Sequence, residues 1–413
     1  MGNKYKIPWA AWREPDYLEL DFPDSWDVSL CRMIGADTRE FSKEEIRKSI
    51  LNPIGTPNLS VIARGRKSVV IVVDDMTRTT PSSKILPFVF EELEKADISK
   101  EQITILFALG AHRPMNKNDC LLKLGKEIVS KFKIENHHPY ENLVHLGDSK
   151  IGTPIDVNKT YYNADLKIAV GGVIPHPLAG FGGGAKIVLP GVCGIRTLEA
   201  NHSAGMRGIG AGIGRMTEIR EDIEDIADNV GLDFSVNVVM NEIGNIIDIY
   251  SGHYRDAHRK AMEAAKESYK TEITLENQIC FLNSYPEDSE LNQSIKAFNI
   301  LMTASNRFLD RKGTIVVMSS SYEGKGFHSL IAETGAKLYN NFGNGILWKA
   351  FVKRRNVYFF SPNISKPDLY HFYPKSVQLF NEWNELINEL SNMHGKSPKA
   401  VIIPTSIQLS ERF

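Results

Sequence analysis

Residues 68–75, SVVIVVDD, form an apolar run without alternation that ends in two aspartates; residues 82–96, SSKILPFVFEELEKA, repeat apolar positions at helical spacing; residues 103–112, ITILFALGAH, return to a strand-like run. A short continuous apolar run of β-branched residues reads as a strand buried on both faces, and a 3.6-residue period reads as a helix. Strand, helix and strand in this order make a βαβ unit. A helix over 118–132 and a strand over 166–174, LKIAVGGVI, continue it, which predicts a mostly parallel sheet with helices on its faces. Ligand sites in such sheets lie at the carboxyl ends of the strands.

Further along, a helix over 256–270 closes this region and the alternation resumes. Strands over 278–284, 314–320, 356–361 and 399–404 are interleaved with helices over 295–309, 328–340 and 376–391. The fold class is therefore α/β, as two α/β domains with mostly parallel sheets, 1–272 and 273–413. A chain of 413 residues is long for one core and suits two.

Lys and Arg total 49 against 50 Asp and Glu, a formal net charge of −1. No overall field collects polyanions, and no local basic patch stands out, so nucleic acid is not an expected partner. Cys31, Cys120, Cys193 and Cys280 are too far apart for a CxxC unit, and reduced thiols are expected. The sequence shows no secretory signal, myristoylation pattern or apolar run long enough to span a bilayer. A cytoplasmic location without membrane attachment is the expectation.

Three strands of the first domain run into polar residues: Asp74, Asp75 and Arg78 after the first, His112 and Arg113 after the second, and Pro175-His176-Pro177 after the third. If these strands are parallel neighbours, Asp75, Arg78, His112 and His176 face one crevice. Each also reads as an ordinary strand exit or a structural histidine. The prolines on either side of His176 restrict its backbone and aim the ring, and imidazole is the side chain whose ordinary pKa suits acid–base chemistry.

Between 171 and 214 lie 13 of the chain's 31 glycines. GFGGGAKIVLPG, residues 180–191, is not a Walker A loop, because Ala185 and Ile187 stand where Gly and Ser/Thr are required. Gly208, Gly210, Gly212 and Gly214 miss the dinucleotide fingerprint as well. What remains is a glycine-lined loop around Gly182, Gly183 and Gly184 that suits a single phosphate, with Lys186 in its wall. Lys186 reads equally as a desolvated nucleophile or as a phosphate's ion-pair partner. His202, in LEANHS at 198–203, offers an imidazole metal ligand, although its spacing to His176 and His112 fits no compact zinc motif. In the second domain Gln293 and Lys296 lie one turn apart at a helix start, where a carboxylate would be held; a solvated helix face is the alternative.

Taken together, DDMTR (74–78), ALGAHRPM (108–115), GGVIPHPLAGFGGGAKIVLPG (171–191), LEANHS and the Gln293/Lys296 pair resemble the nickel-dependent lactate racemase family, in motif order over most of the chain. The resemblance implies an active-site cleft between the two domains. It also implies a nickel-pincer nucleotide, a nicotinic-acid-derived mononucleotide carrying nickel on sulfur and carbon, attached covalently to Lys186. On this resemblance His202 is the protein's nickel ligand, and Gly182, Gly183, Gly184 and Asp75 hold the cofactor, Asp75 alternatively orienting a histidine. His112 and His176 flank the substrate and exchange its hydroxyl proton, while the cofactor takes the Cα hydrogen as hydride and returns it to either face of a 2-keto acid. Arg78, Gln293 and Lys296 bind the substrate. Implied partners are a small 2-hydroxy acid and the cofactor's maturation enzymes, with a homodimer left open.

The sequence departs from the family at Asn292, where the lactate enzymes carry tyrosine, and Trp348 is the candidate for their cofactor-stacking aromatic. Malate, an aryl lactate or a sugar acid is thus as compatible as lactate, with Arg113 or Arg207 available for a second carboxylate. Two other readings stand beside this one: a zinc hydrolase using His112, His176 and His202, and a protein that binds a phosphorylated small molecule without turning it over.

Overall fold

The computed structural model describes residues 3–205, 213–305, 307–330 and 355–410. Arg207, Gly208, Gly210, Gly212, Trp348 and most of the helix expected over 328–340 lie outside them. The chain divides into two compact units, Asp37–Glu267 and a second made of Met1–Ala36 with Ser268–Phe413.

In the unit Asp37–Glu267 a six-stranded sheet has the order Ile246–Gly252, Phe234–Met240, Leu166–Gly172, Val69–Asp74, Ile103–Ala108, Lys133–Asn136. All neighbours are parallel except Ile246–Gly252, which returns antiparallel. Every residue of Val69–Asp74 is buried, as its unbroken apolar run requires. The chain builds outward from this strand in one direction through Ile103–Ala108 and Lys133–Asn136, then in the other through Leu166–Gly172 and Phe234–Met240. The topological switch point therefore falls between Val69–Asp74 and Leu166–Gly172, and a ligand is expected in the crevice beyond their carboxyl ends.

Helices cover the sheet where their caps start them. Asn116 closes a capping box over Lys117–Lys131, and the Thr217 hydroxyl accepts from Arg220 N at the start of Glu218–Val230. Lys117–Lys131 is kinked at Gly125, whose φ of 82° leaves the helical region.

The second unit holds another six-stranded sheet, in the order Gln378–Phe380, Asn356–Phe360, Leu309–Met318, Asn277–Asn283, Lys399–Ile403, Asp27–Leu30, parallel throughout. A single cut after 272 assigns the first 36 residues to the other unit, whereas here Asp27–Leu30 pairs with Lys399–Ile403. The hairpin of Asn3–Pro8 and Tyr17–Phe22 also places Ile7, Leu20 and Phe22 in one apolar cluster with Phe281 and Ile402. That pairing joins the two ends of the chain, and local periodicity carries no sign of it.

The helix expected over 295–309 is instead a 3-10 segment, Leu291–Phe298, followed by a short α-helix, Asn299–Thr303. The Ser294 hydroxyl donates to the Leu291 carbonyl three residues back at 2.6 Å, which matches the tighter winding. The helix expected over 376–391 is a strand, Gln378–Phe380, and a helix, Trp383–His394. All four cysteines are free and buried. Among the described residues no helix is long and apolar enough to cross a membrane.

Candidate active site

The turn after Val69–Asp74 is held by a buried charge pair. Lys123, with no exposed surface, lies 2.7 Å from Asp74 Oδ1 and donates to the carbonyls of Asp75 at 3.0 Å and Arg78 at 2.7 Å. Asp74 Oδ2 accepts from Thr80 Oγ1 at 2.6 Å and from the amide of Gly172, on the neighbouring strand, at 3.1 Å. The first aspartate of the motif is thus the turn's anchor. Lys123 was not singled out from sequence; its only signal is that it lies three residues after Cys120 and beside Leu124, on the buried face of its helix. Lys123→Met leaves Asp74 buried without its counter-charge and is expected to lower stability by about 3–5 kcal/mol in urea unfolding. A loss under about 1 kcal/mol would contradict the anchoring role.

With the turn fixed, Asp75 faces His112 across the neighbouring strand end. Asp75 Oδ2 lies 2.6 Å from His112 Nδ1, and Oδ1 accepts from the amide and hydroxyl of Thr77 at 3.0 and 2.6 Å. Arg78 donates to the Thr77 hydroxyl at 3.0 Å. Burial on its own would raise the Asp75 pKa, but the charge and hydrogen bond of His112, with Arg78 and Thr77, hold it well below the usual carboxylate range. An anionic Asp75 is an acceptor only, so His112 donates to it from Nδ1, and in the neutral ring the lone pair is then on Nε2. Of the two roles implied for Asp75, orienting a histidine is the one these bonds fit.

His176 has the opposite arrangement. Pro175–His176 pairs antiparallel with Gly180–Phe181, and in this tight hairpin the amides of Leu178 and Ala179 donate to His176 Nδ1 at 3.2 and 3.1 Å. With Nδ1 accepting, the neutral ring keeps its hydrogen on Nε2. The flanking prolines restrict the backbone, while the hairpin amides fix the ring and its tautomer.

The glycine loop is packed from behind rather than lined with free donors. The Gly182 amide donates to the Ile174 carbonyl and that of Gly184 to Asn237 Oδ1, each at 2.8 Å. His258 Nε2 donates to the Gly182 carbonyl at 2.7 Å, and Arg220, 1% exposed, donates to the Phe181 carbonyl at 3.2 Å and to His258 Nδ1 at 3.0 Å. Burial and the Arg220 charge push the His258 pKa well down, which keeps that ring neutral. At Gly184, with φ of +54°, a Cβ would come within 2.9 Å of both Arg220 and His258. The expected amide cradle is therefore met only in part: Gly182 and Gly184 allow close packing, and their N–H groups are already committed. Asn237, Arg220 and His258 escaped notice in the sequence because single polar residues on buried elements carry no local pattern.

The half-buried Lys186 lies in the 3-10 segment Gly184–Ile187, flanked by buried Ala185 and Ile187. On the helix Ile195–Gly205, His202 donates from Nδ1 to the Leu198 carbonyl at 2.9 Å, which leaves its lone pair on Nε2. Burial first, and then the charges of Lys186 and His112, push His202 down to about 4 against that hydrogen bond. The imidazole is neutral near pH 7, the form that binds metals. Lys186, His112 and His202 therefore share one electrostatic neighbourhood. Arg113 is ion-paired with buried Asp119 at 2.6 Å and so helps hold the start of its helix.

In the other unit, Gln293 and Lys296 lie on Leu291–Phe298. Gln293 is 4% exposed, and the Lys296 ammonium pairs with buried Glu287. Neither belongs to a solvated helix face.

The model of the lactate racemase N-terminal domain matches residues 14–214, which span Asp75, His112, His176, Lys186 and His202. The lactate racemase of Thermoanaerobacterium thermosaccharolyticum is 32% identical over 317 residues, 75% of this chain and 73% of the relative. The chain belongs to the lactate racemase family. A second member, the lactate racemase of Lactiplantibacillus plantarum, is 33% identical over 298 residues, 70% of this chain and 69% of its own. The fold agrees with that of the lactate racemase apoprotein from T. thermosaccharolyticum, with a TM-score of 0.77 at 24% identity over 98% of this chain and 99% of that one. A Thermotoga maritima protein shares the fold at a TM-score of 0.66 and 18% identity, over 90% of this chain and 98% of that one.

Proposed function

We propose that this member of the lactate racemase family is a racemase or epimerase of 2-hydroxy acids, working with a nickel-pincer nucleotide attached to Lys186. The observation that carries the reading is the grouping of Lys186 with a neutral His202 whose Nε2 lone pair is available to a metal. The donor set fits such a group. Among the described residues no three His, Cys, Asp or Glu side chains come together to hold a metal ion, which agrees with a metal that brings its remaining ligands with it. A zinc hydrolase, which needs about three protein ligands around one ion, is correspondingly disfavoured.

When bound, the group supplies a hydride acceptor for the substrate's Cα hydrogen, which avoids a carbanion beside a carboxylate. The protein's part is to bind, orient and move the hydroxyl proton. In this reading His112 Nε2 accepts that proton, and Asp75 stabilises the resulting imidazolium and holds the ring in place. His176 directs Nε2–H at the same oxygen, polarising it as it becomes a carbonyl. The resemblance gives the two histidines one shared role; their hydrogen bonds divide it. Arg78, Gln293 and Lys296 are proposed to meet the substrate's carboxylate end, with Lys296 shared between substrate and Glu287. Gly182, Gly183 and Gly184 are proposed to shape the seat beside Lys186.

Protein co-produced with the cofactor's maturation enzymes is expected to invert C2 of at least one acid in a panel of 2-hydroxy acids, read by chiral chromatography. Ligand binding without inversion by fully loaded protein would favour the non-catalytic alternative.

A further inference from the structure

Most of the buried polar groups around Leu291–Phe298 are satisfied within the fold. Asp288 accepts from the amides of Ala10 and Ala11 at 2.7 and 3.0 Å, Ser294 bonds the Leu291 carbonyl, and Lys296 pairs with Glu287. Asn292 is not. It is 4% exposed, and neither Nδ2 nor Oδ1 has any hydrogen-bond partner. A buried amide left in this state works against folding and calls for an explanation, and functional sites are among the places where such local costs are retained.

The surroundings narrow the ligand. Opposite Asn292 lies Gly326, at φ +78°, where a Cβ would come within 2.8 Å of Asn292 Nδ2 and 2.7 Å of Glu290. The Glu290 carboxylate borders the same spot. Gly326 lies between Lys325 and Phe327 in a stretch without regular secondary structure. An amide offers donors and an acceptor together, and a hydroxyl is the group that answers both. The methyl group of lactate would leave the amide as it is. A second carboxylate, as in malate, would answer only the donors and would sit among the carboxylates of Glu287 and Glu290, each 1% exposed.

We infer that Asn292 is a specificity-determining residue and that the substrate carries a hydroxyl next to the inverted centre, as a 2,3-dihydroxy or polyhydroxy acid. This rests on the proposed function, in which Gln293 and Lys296, on the same turn as Asn292, meet the substrate's carboxylate end.

The test uses cofactor-loaded wild type and Asn292→Leu with glycerate, gluconate, lactate and malate, resolving both configurations at C2. Wild type is expected to show kcat/KM for glycerate or gluconate at least about tenfold above that for lactate and malate, and in the variant this ratio falls by at least about tenfold. Calorimetry with the same acids is expected to show an affinity for the hydroxylated ones that drops by a similar factor in Asn292→Leu. Without ligand, Asn292→Leu is expected to melt higher than wild type, because an apolar isostere removes two unsatisfied atoms. A wild-type preference for lactate or malate, an unchanged ratio, or a lowered melting temperature would overturn the inference. Asn292-dependent binding of a hydroxylated acid by loaded protein that turns over no acid would uphold Asn292's role and remove the racemase reading instead.

Discussion

Lys186→Ala is expected to fold normally and to show no racemisation of any 2-hydroxy acid. The fold should tolerate the change because Lys186 is half-buried on a 3-10 segment whose packing rests on Ala185, Ile187 and the glycine loop behind it. A stability change within about 1 kcal/mol is expected. Activity should vanish rather than decline, because Lys186 is the point of attachment and not one of several binding contacts. Lys186→Arg separates attachment from charge: it keeps the cation and is expected to be equally inactive. Racemisation by either variant would remove the tether from the account.

Among variants that still carry the cofactor, those at the His112–Asp75 pair should lose most. His112→Gln removes the Nε2 lone pair and is expected to lower kcat by about 10² to 10⁴. Asp75→Asn offers an N–H where a carboxylate accepted one, so His112 would take up the other tautomer and carry hydrogen on Nε2; a loss of about the same size is expected. His176→Gln, by contrast, keeps an N–H near the position of Nε2 and should retain kcat within about tenfold of wild type, whereas His176→Leu should lose about 10² or more. This asymmetry follows from the 2.6 Å contact to Asp75 on one ring and the two backbone donors on the other. Equal losses in His112→Gln and His176→Gln would show that both rings act as bases. Intact mass on each variant is the accompanying check, with unchanged loading the expected result.

How far the sequence reveals the site depends on how local each signal is. The unbroken apolar run of 68–75 and the helical period after it are properties of adjacent residues, and the parallel neighbours they imply are present in the sheet. Ile103–Ala108 and Leu166–Gly172 flank Val69–Asp74, so the three polar strand ends leave neighbouring strands as the sequence suggests, and Asp75 meets His112 directly. The supports behind them were not accessible to reading. Lys123 ion-pairs across its helix to Asp74, and Arg220, Asn237 and His258 hold the glycine loop from other elements of that unit; each is a single polar residue whose burial depends on tertiary contacts. The same limit explains the first 36 residues, whose strand Asp27–Leu30 finds its partner at Lys399–Ile403. Asn292 stands out in the sequence as a departure from the family, but only the structure shows that its amide is buried without a partner.

The central claim is covalent, and mass tests it most directly. Wild type and Lys186→Ala, each co-produced with the cofactor's maturation enzymes, are to be compared by denatured intact mass. A nucleotide-sized excess on wild type alone is the predicted result. Bare chain mass for both proteins, while a known lactate racemase made in the same host is loaded, would contradict it.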